Sequence, residues 1–232
     1  MSFTRRALGV DGARGGWLVA EVDLGDPTAA FDFRFQESLH ATVRSLRPGD
    51  VMIVDMPIGL SDDGDRPVDL IARNRLGSRR STFFPTPHRA SLDAHSWAEA
   101  NASSRIATGR GMSKQSWNLI PKIREIDSLW NDTLEHVVLE GHPESSFAEM
   151  LAEPIAAAKR TSGGRRVRRD ALSREFGVRI AGLDEVPARF TIDAIDAAAL
   201  CWTAMRVADG SAIRLGADHD RDAIGHPMWL TI

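Results

Sequence analysis

The run Val51-Met-Ile-Val-Asp55 places four apolar residues in succession and then an acid. A strand with no polar alternation is buried on both faces, as in the interior of a sheet covered by helices on either side. Ala7-Leu-Gly-Val-Asp11 has the same form near the start of the chain, so two inner strands each end in a carboxylate. Between them, Trp17 to Val22 and Phe31 to Gln36 read as strands, with Gly12, Gly15 and Gly16 turning the chain after the first. Leu39 to Leu46 has the apolar spacing of a helix. A meander followed by a helical crossover puts Asp11 on a central strand, antiparallel to the Trp17 strand and parallel to the Val51 strand. Val137 to Glu140 supplies a fifth strand. An Ala-rich helix from about Thr191 to Ala208 stops near Gly210, and Ala212 to Leu215 and Met228 to Ile232 read as edge strands.

The connection from Asp55 to Val137 is far longer than the usual handful of residues, so it must form its own substructure. Pro67 to Leu76, Trp97 to Ile106 and Ser113 to Trp130 have helical character, with Pro121 as a break or new start, while Phe83-Phe-Pro-Thr-Pro87 cannot continue a helix. The expectation is a single domain over residues 1–232 with a helical insertion at about 61–131, lying over the acidic end of the sheet. At 232 residues and 43% hydrophobic content, such a core can be filled.

Twenty-nine basic and 32 acidic residues leave a formal net charge of −3, so no global cationic field points to nucleic acid or to a membrane surface. Any anion site has to be local. Cys201 is the only cysteine, which excludes an internal disulfide and a cysteine-rich zinc site and fits a reducing cytoplasm. The segment after Met1-Ser-Phe-Thr-Arg-Arg6 is too short in apolar residues for a secretory leader, and no run approaches the ~20 apolar residues of a membrane span.

Asp193 and Asp196 stand three residues apart in Thr191-Ile-Asp-Ala-Ile-Asp-Ala197, on one helix face. With Asp11 and Asp55 they make carboxylates on three elements. Two-metal phosphodiester hydrolysis needs such converging acids to hold ions ~4 Å apart, and Mg²⁺ or Mn²⁺ is served by hard oxygen ligands and water without His or Cys. The competing reading of each acid is a turn or helix cap. Glu140 and Glu144 lie at the end of the fifth strand, in Leu139-Glu-Gly-His-Pro-Glu144. Pro143 suits a first helical position, with His142 near the cap and Glu144 either complementing the helix dipole or acting as a ligand or general base.

Two basic clusters accompany these acids. Arg73, Arg75, Arg79 and Arg80 precede Phe83-Phe84, and Lys159, Arg160, Arg165, Arg166, Arg168 and Arg169 surround Gly163-Gly164. Phosphate backbones attract such clusters and exposed aromatics stack on unpaired bases, although a solvated face with a buried Phe pair is the plainer reading. The second cluster reads as a mobile loop able to order on an anion. Lys122 and Lys159 are further candidates for holding a phosphate as point charges.

The motifs Gly9-Val-Asp-Gly-Ala-Arg-Gly-Gly-Trp17, Val54-Asp-Met-Pro-Ile-Gly-Leu60, Phe84-Pro-Thr-Pro87, Gln115-Ser-Trp117, Pro121-Lys-Ile-Arg-Glu-Ile-Asp127, His142-Pro-Glu144 and Asp193-Ala-Ile-Asp-Ala197 resemble the domain of unknown function 429 family. Members of that family are described as predicted nucleases of RNase-H-like fold. The resemblance implies a five-stranded mixed sheet in the order 3-2-1-4-5. The acid pair on the last helix is similar to that of Holliday-junction resolvases, which commonly carry Glu where this chain has Asp55.

The leading expectation is a Mg²⁺- or Mn²⁺-dependent nuclease, with DNA or RNA undecided. Asp11, Asp55, Asp193 and Asp196 hold metal, Glu144 orients water, and Arg79, Arg80, Lys122 and Lys159 bind substrate. The alternatives are a non-catalytic nucleic-acid or nucleotide-binding module, and a small-molecule phosphotransferase of the sugar-kinase and actin-like group. The last is disfavoured because only one copy of the core is present.

Overall fold

A computed structural model describes residues 5–232; the residues before Arg5, the start of the segment read for a leader, lie outside it. The first five strands are β1 (Arg6–Ala13), β2 (Gly16–Asp23), β3 (Asp32–Gln36), β4 (Val51–Val54) and β5 (Val138–Glu140), and they form one sheet in the order β3-β2-β1-β4-β5. Strand β1 pairs antiparallel with β2 and parallel with β4, which pairs parallel with β5. This is the mixed five-stranded sheet of the RNase-H-like arrangement, with Asp11 on its central strand.

Side-chain alternation divides the sheet into two packed faces. Leu8, Val10, Met52, Val54 and Val138 turn to one side, onto a core with Leu39, Ile123 and Ile126. That layer contains the short helix α1 (His40–Arg44) and helix α4 (Lys114–Leu129). Ala7, Ile53 and Val51 turn to the other side, onto Phe147, Leu172, Ala197, Leu200 and Cys201. These come from helices α5 (Pro143–Leu151), α6 (Ser162–Phe176) and α7 (Thr191–Asp209). Asp11 and Asp55 continue the register of Ala7 and Ile53, so both face the α7 side.

The insertion is mainly helical, comprising α2 (Pro67–Leu76), α3 (Trp97–Thr108), α4 and several 3-10 turns. Three expectations are corrected. Pro121 does not break α4, which runs unbroken through it. The helix is held by its buried face of Ile120, Ile123 and Ile126, and by Glu125 accepting from the Trp17 indole at 2.8 Å and the Leu39 amide at 2.6 Å. The two C-terminal segments join the edge of the main sheet only through one parallel bridge, between Thr231 and Gly141 just past β5. As β6 (Arg214–Leu215) and β7 (Leu230–Thr231) they pair with each other, because Leu215, Leu230 and Ile232 pack with Val68, Leu76 and Phe83 in a separate small core. Lastly, the Arg-rich segment is an ordered helix, α6, with its glycine pair in the first turn and Thr161 capping it through the Gly164 amide.

Candidate active site

Helix α7 is brought to the acids by one close approach. A Cβ on Gly9 would stand 2.0 Å from the Ala197 carbonyl oxygen and 2.2 Å from the Cys201 nitrogen, so only glycine lets the helix lie this near β1. Two residues earlier on the strand, the Cys201 thiol donates to the Ala7 carbonyl at 3.2 Å. The contacts step from Cys201 on Ala7 to Ala197 on Gly9. The next turn back along the helix, carrying Asp193 and Asp196, therefore comes against Asp11.

Four carboxylates thus act on one another. Burial and the charges of Asp196, Asp55 and Asp193 push the Asp11 carboxyl well above the usual range. Asp55 is raised to about 7, chiefly by burial and with the Asp196 charge adding to it, and it titrates together with its neighbours rather than alone. Burial and then Asp196 raise Asp193 to about 6. Asp196, only 1% exposed, is raised by burial even though the Lys159 ammonium donates to its Oδ2 at 2.6 Å. Burial works against the Lys159 charge, but Asp196, Asp11 and Asp55 outweigh it and raise its pKa. The second oxygen of Asp196, Oδ1, is buried with no hydrogen-bond partner.

The other expected acids are engaged elsewhere. Glu140 shares the register of Val138 and turns to the opposite face, where Arg66 binds both its oxygens at 2.7 and 2.6 Å and the Ile58 amide donates at 3.0 Å. Arg66 also grips Asp69 and the Gly59 carbonyl, fixing the turn that follows Asp55. Glu144 has both oxygens held by one Arg168 nitrogen, at 2.7 and 2.6 Å. Arg66 and Arg168 are fully buried, and their pairing with these acids carried no spacing signal in the sequence.

A cavity of about 450 Å³ opens over the carboxyl ends of β1 and β4. Asp11, Asp55, Lys159 and Arg160 border it on the sheet side, and the insertion supplies Arg79, Phe83, Phe84, Pro85, Pro87 and Gln115. Asp193 and Asp196 do not line it. Arg79 is half-buried with its Nε unpaired, whereas Arg80 is exposed and stands away from the lining. Lys122 lies 4.3 Å from the Trp17 ring, donates to the Gly16 carbonyl, and faces Asp11 and Asp193. His142, missed as a site residue in the sequence, borders the cavity beside the Phe83 ring, and burial holds it neutral by lowering its pKa to about 3. The chain has only three lysines against 26 arginines, and two of them, Lys122 and Lys159, are at the acids.

By donor chemistry the four carboxylates fit Mg²⁺ or Mn²⁺, and Asp196 Oδ1 is a buried donor atom without a partner. As arranged, no three His, Cys, Asp or Glu side chains among the described residues form a group ready to hold a metal ion. Lys159 is the cation that contacts the site instead.

Sheet order and acidic strand ends define the class: an α/β protein of RNase-H-like topology with carboxylates converging from three elements. Within it, the chain belongs to the family described as protein of unknown function (DUF429), which matches residues 9–221. No curated protein and no solved structure matches it. Among the described residues no helix is long and apolar enough to cross a membrane.

Proposed function

We propose that this protein hydrolyses phosphodiester bonds of nucleic acid at the cavity over Asp11 and Asp55. The observation that carries the reading is the gathering of acids from two strand ends and helix α7 at one cavity, with Asp11 and Asp55 in its lining and α7 held close by Gly9, where burial and one another's charge raise their pKa values. Acids forced together at a cost to their ionisation, beneath a cleft, are the mark of a functional site. Asp11, Asp55, Asp193 and Asp196 would hold Mg²⁺ or Mn²⁺, which supplies charge neutralisation and Lewis acidity when bound. Lys159, Arg160 and Arg79 bind phosphate oxygens at the cavity mouth. The Phe84 ring, 45% exposed, offers a face on which an unpaired base stacks, so single-stranded substrate is favoured over duplex. Glu144, held by Arg168, supports the Lys159 turn in this reading rather than activating water. With Cys201 unpaired and buried, a reducing cytoplasm is the setting we assign.

A second reading, a nucleotide-binding module without catalysis, is favoured by one fact: Lys159 already neutralises Asp196. Single-stranded DNA and RNA incubated with wild type and Asp11→Asn, with Mn²⁺ or EDTA, test both. The catalytic reading requires Mn²⁺-dependent cleavage that Asp11→Asn abolishes while binding persists. Binding without cleavage in any condition leaves the module.

A further inference from the structure

Lys159 sits on the connection between α5 and α6, and that connection is anchored at several points. Ile155 is buried in the core. Arg168, wholly buried, donates to the Ala157 carbonyl at 3.0 Å and to the Gly164 carbonyl at 2.9 Å while holding Glu144. The Thr161 hydroxyl and amide close the turn on the Ala158 carbonyl at 2.8 and 3.0 Å. A Cβ on Gly164 would lie 2.0 Å from that same carbonyl oxygen, so the first turn of α6 abuts the turn that carries Lys159. A lysine mounted this firmly does not rest against Asp196 by chance. Its ammonium takes Oδ2 and leaves Oδ1 buried without a hydrogen-bond partner.

Charge counting agrees with the geometry. Once an ion displaces the protons that their raised pKa values retain, four carboxylates face the Lys159 ammonium, while Lys122 has Glu125 as its foremost charge partner; one divalent ion then leaves a single formal negative charge and two would overshoot. A compact ammonium suits this place better than a guanidinium fork, and the chain, otherwise nearly devoid of lysine, supplies one here.

We propose that Lys159 fills the place of one divalent cation in the acid cluster, so that the site takes a single ion, on Asp196 Oδ1, rather than a pair. This rests on the metal-dependent reading of the site and specifies its cation content. Lys159 then serves as a non-exchangeable charge, and the number of ion sites is set by the protein.

The test is the stoichiometry of Mn²⁺ binding to the full chain, read from the free-ion signal by electron paramagnetic resonance. Wild type is expected to bind one ion. Lys159→Met, which keeps the apolar stem and removes the charge, is expected to bind one more than wild type, or to bind its first at least tenfold more tightly. Lys159→Gln provides the same comparison should the methionine variant fail to fold. Should neither fold, acetylating the folded wild type and confirming the adduct on the Lys159 peptide by mass spectrometry removes the charge without mutation. Two ions on wild type, or unchanged stoichiometry and affinity once the charge is gone, overturns the proposal. Its failure is distinct from that of the catalytic reading, which is decided by cleavage and not by ion count.

Discussion

Two sets of carboxylates stand near the carboxyl ends of the strands, and they are treated in opposite ways. Glu140 and Glu144 each have a buried arginine bound through both oxygens, with Asp69 and backbone groups completing the networks. Asp11, Asp55, Asp193 and Asp196 share one well-placed lysine among four. A buried charge with full pairing is a structural tie; several buried acids with a deficit of positive charge are strained and call for a cation, a proton or a ligand. Nearness to the strand ends does not separate the two sets. The arginines do.

The largest effect should come from breaking the paired set. Arg168→Ala leaves Glu144 uncompensated and releases the Lys159 turn, which should cost roughly 3–5 kcal/mol by urea unfolding. A loss below about 1 kcal/mol would erase the distinction between the two sets. Next comes the seat of the strained set. Gly9→Ala drives a methyl group into the α7 backbone, and overpacking of that kind costs about 1–3 kcal/mol or more. It should also shift Asp193 and Asp196 from Asp11, so its Mn²⁺ stabilisation should vanish even under conditions where the variant is folded.

Smaller and opposite in sign is Asp11→Asn. Removing one of four crowded acids should leave the metal-free melting temperature unchanged or raised, while wild type alone gains melting temperature with Mg²⁺ or Mn²⁺ by mass action. Unfolding on this substitution, with no metal effect on wild type, would make the acids structural.

The remaining effect is the pH dependence. Asp55 and Asp193 titrate at about 7 and about 6 in the folded chain, above the ordinary ~3.9 of the unfolded one. Their stabilising contribution is whole below pH ~4 and is lost as pH rises through 6 to 7. His142 is depressed to about 3, so its contribution is present above ~6.5 and is lost as pH falls toward 3. His142→Gln should remove the acid-side loss, leaving a melting temperature that declines steadily from pH 4 to 8. A flat profile in that variant would mean that the acids are not raised.

Much of the fold was legible because it depends on local pattern. The apolar run Val51 to Val54, the meander around the Gly15-Gly16 turn and the Ala-rich face of α7 each fix an element by their own periodicity, and their order leaves few sheets to build. Asp11 and Asp55 follow, since a strand register that buries Ala7 and Ile53 must turn those acids to the same side. Pro121 was misread because propensity favours a break, and packing of the isoleucine face overrode it. The α6 segment was misread because Arg and Gly resemble a loop locally; only the buried Arg168, with Glu144 as its distant partner, reveals a packed helix.

The sequence by itself determined the strands of the meander and the crossover, the placement of two acids at the ends of inner strands and the i, i+3 pair on the last helix, because these follow from periods of two and 3.6 residues, while the full strand order was implied by the family resemblance. Tertiary structure alone decided which acids are strained and which are tied down. That choice turns on Arg66 meeting Glu140 across 74 residues, Arg168 meeting Glu144 across 24 and Lys159 meeting Asp196 across 37. Charge pairing acts through distance in space, and a carboxylate carries no mark in its own neighbourhood of the cation that will reach it.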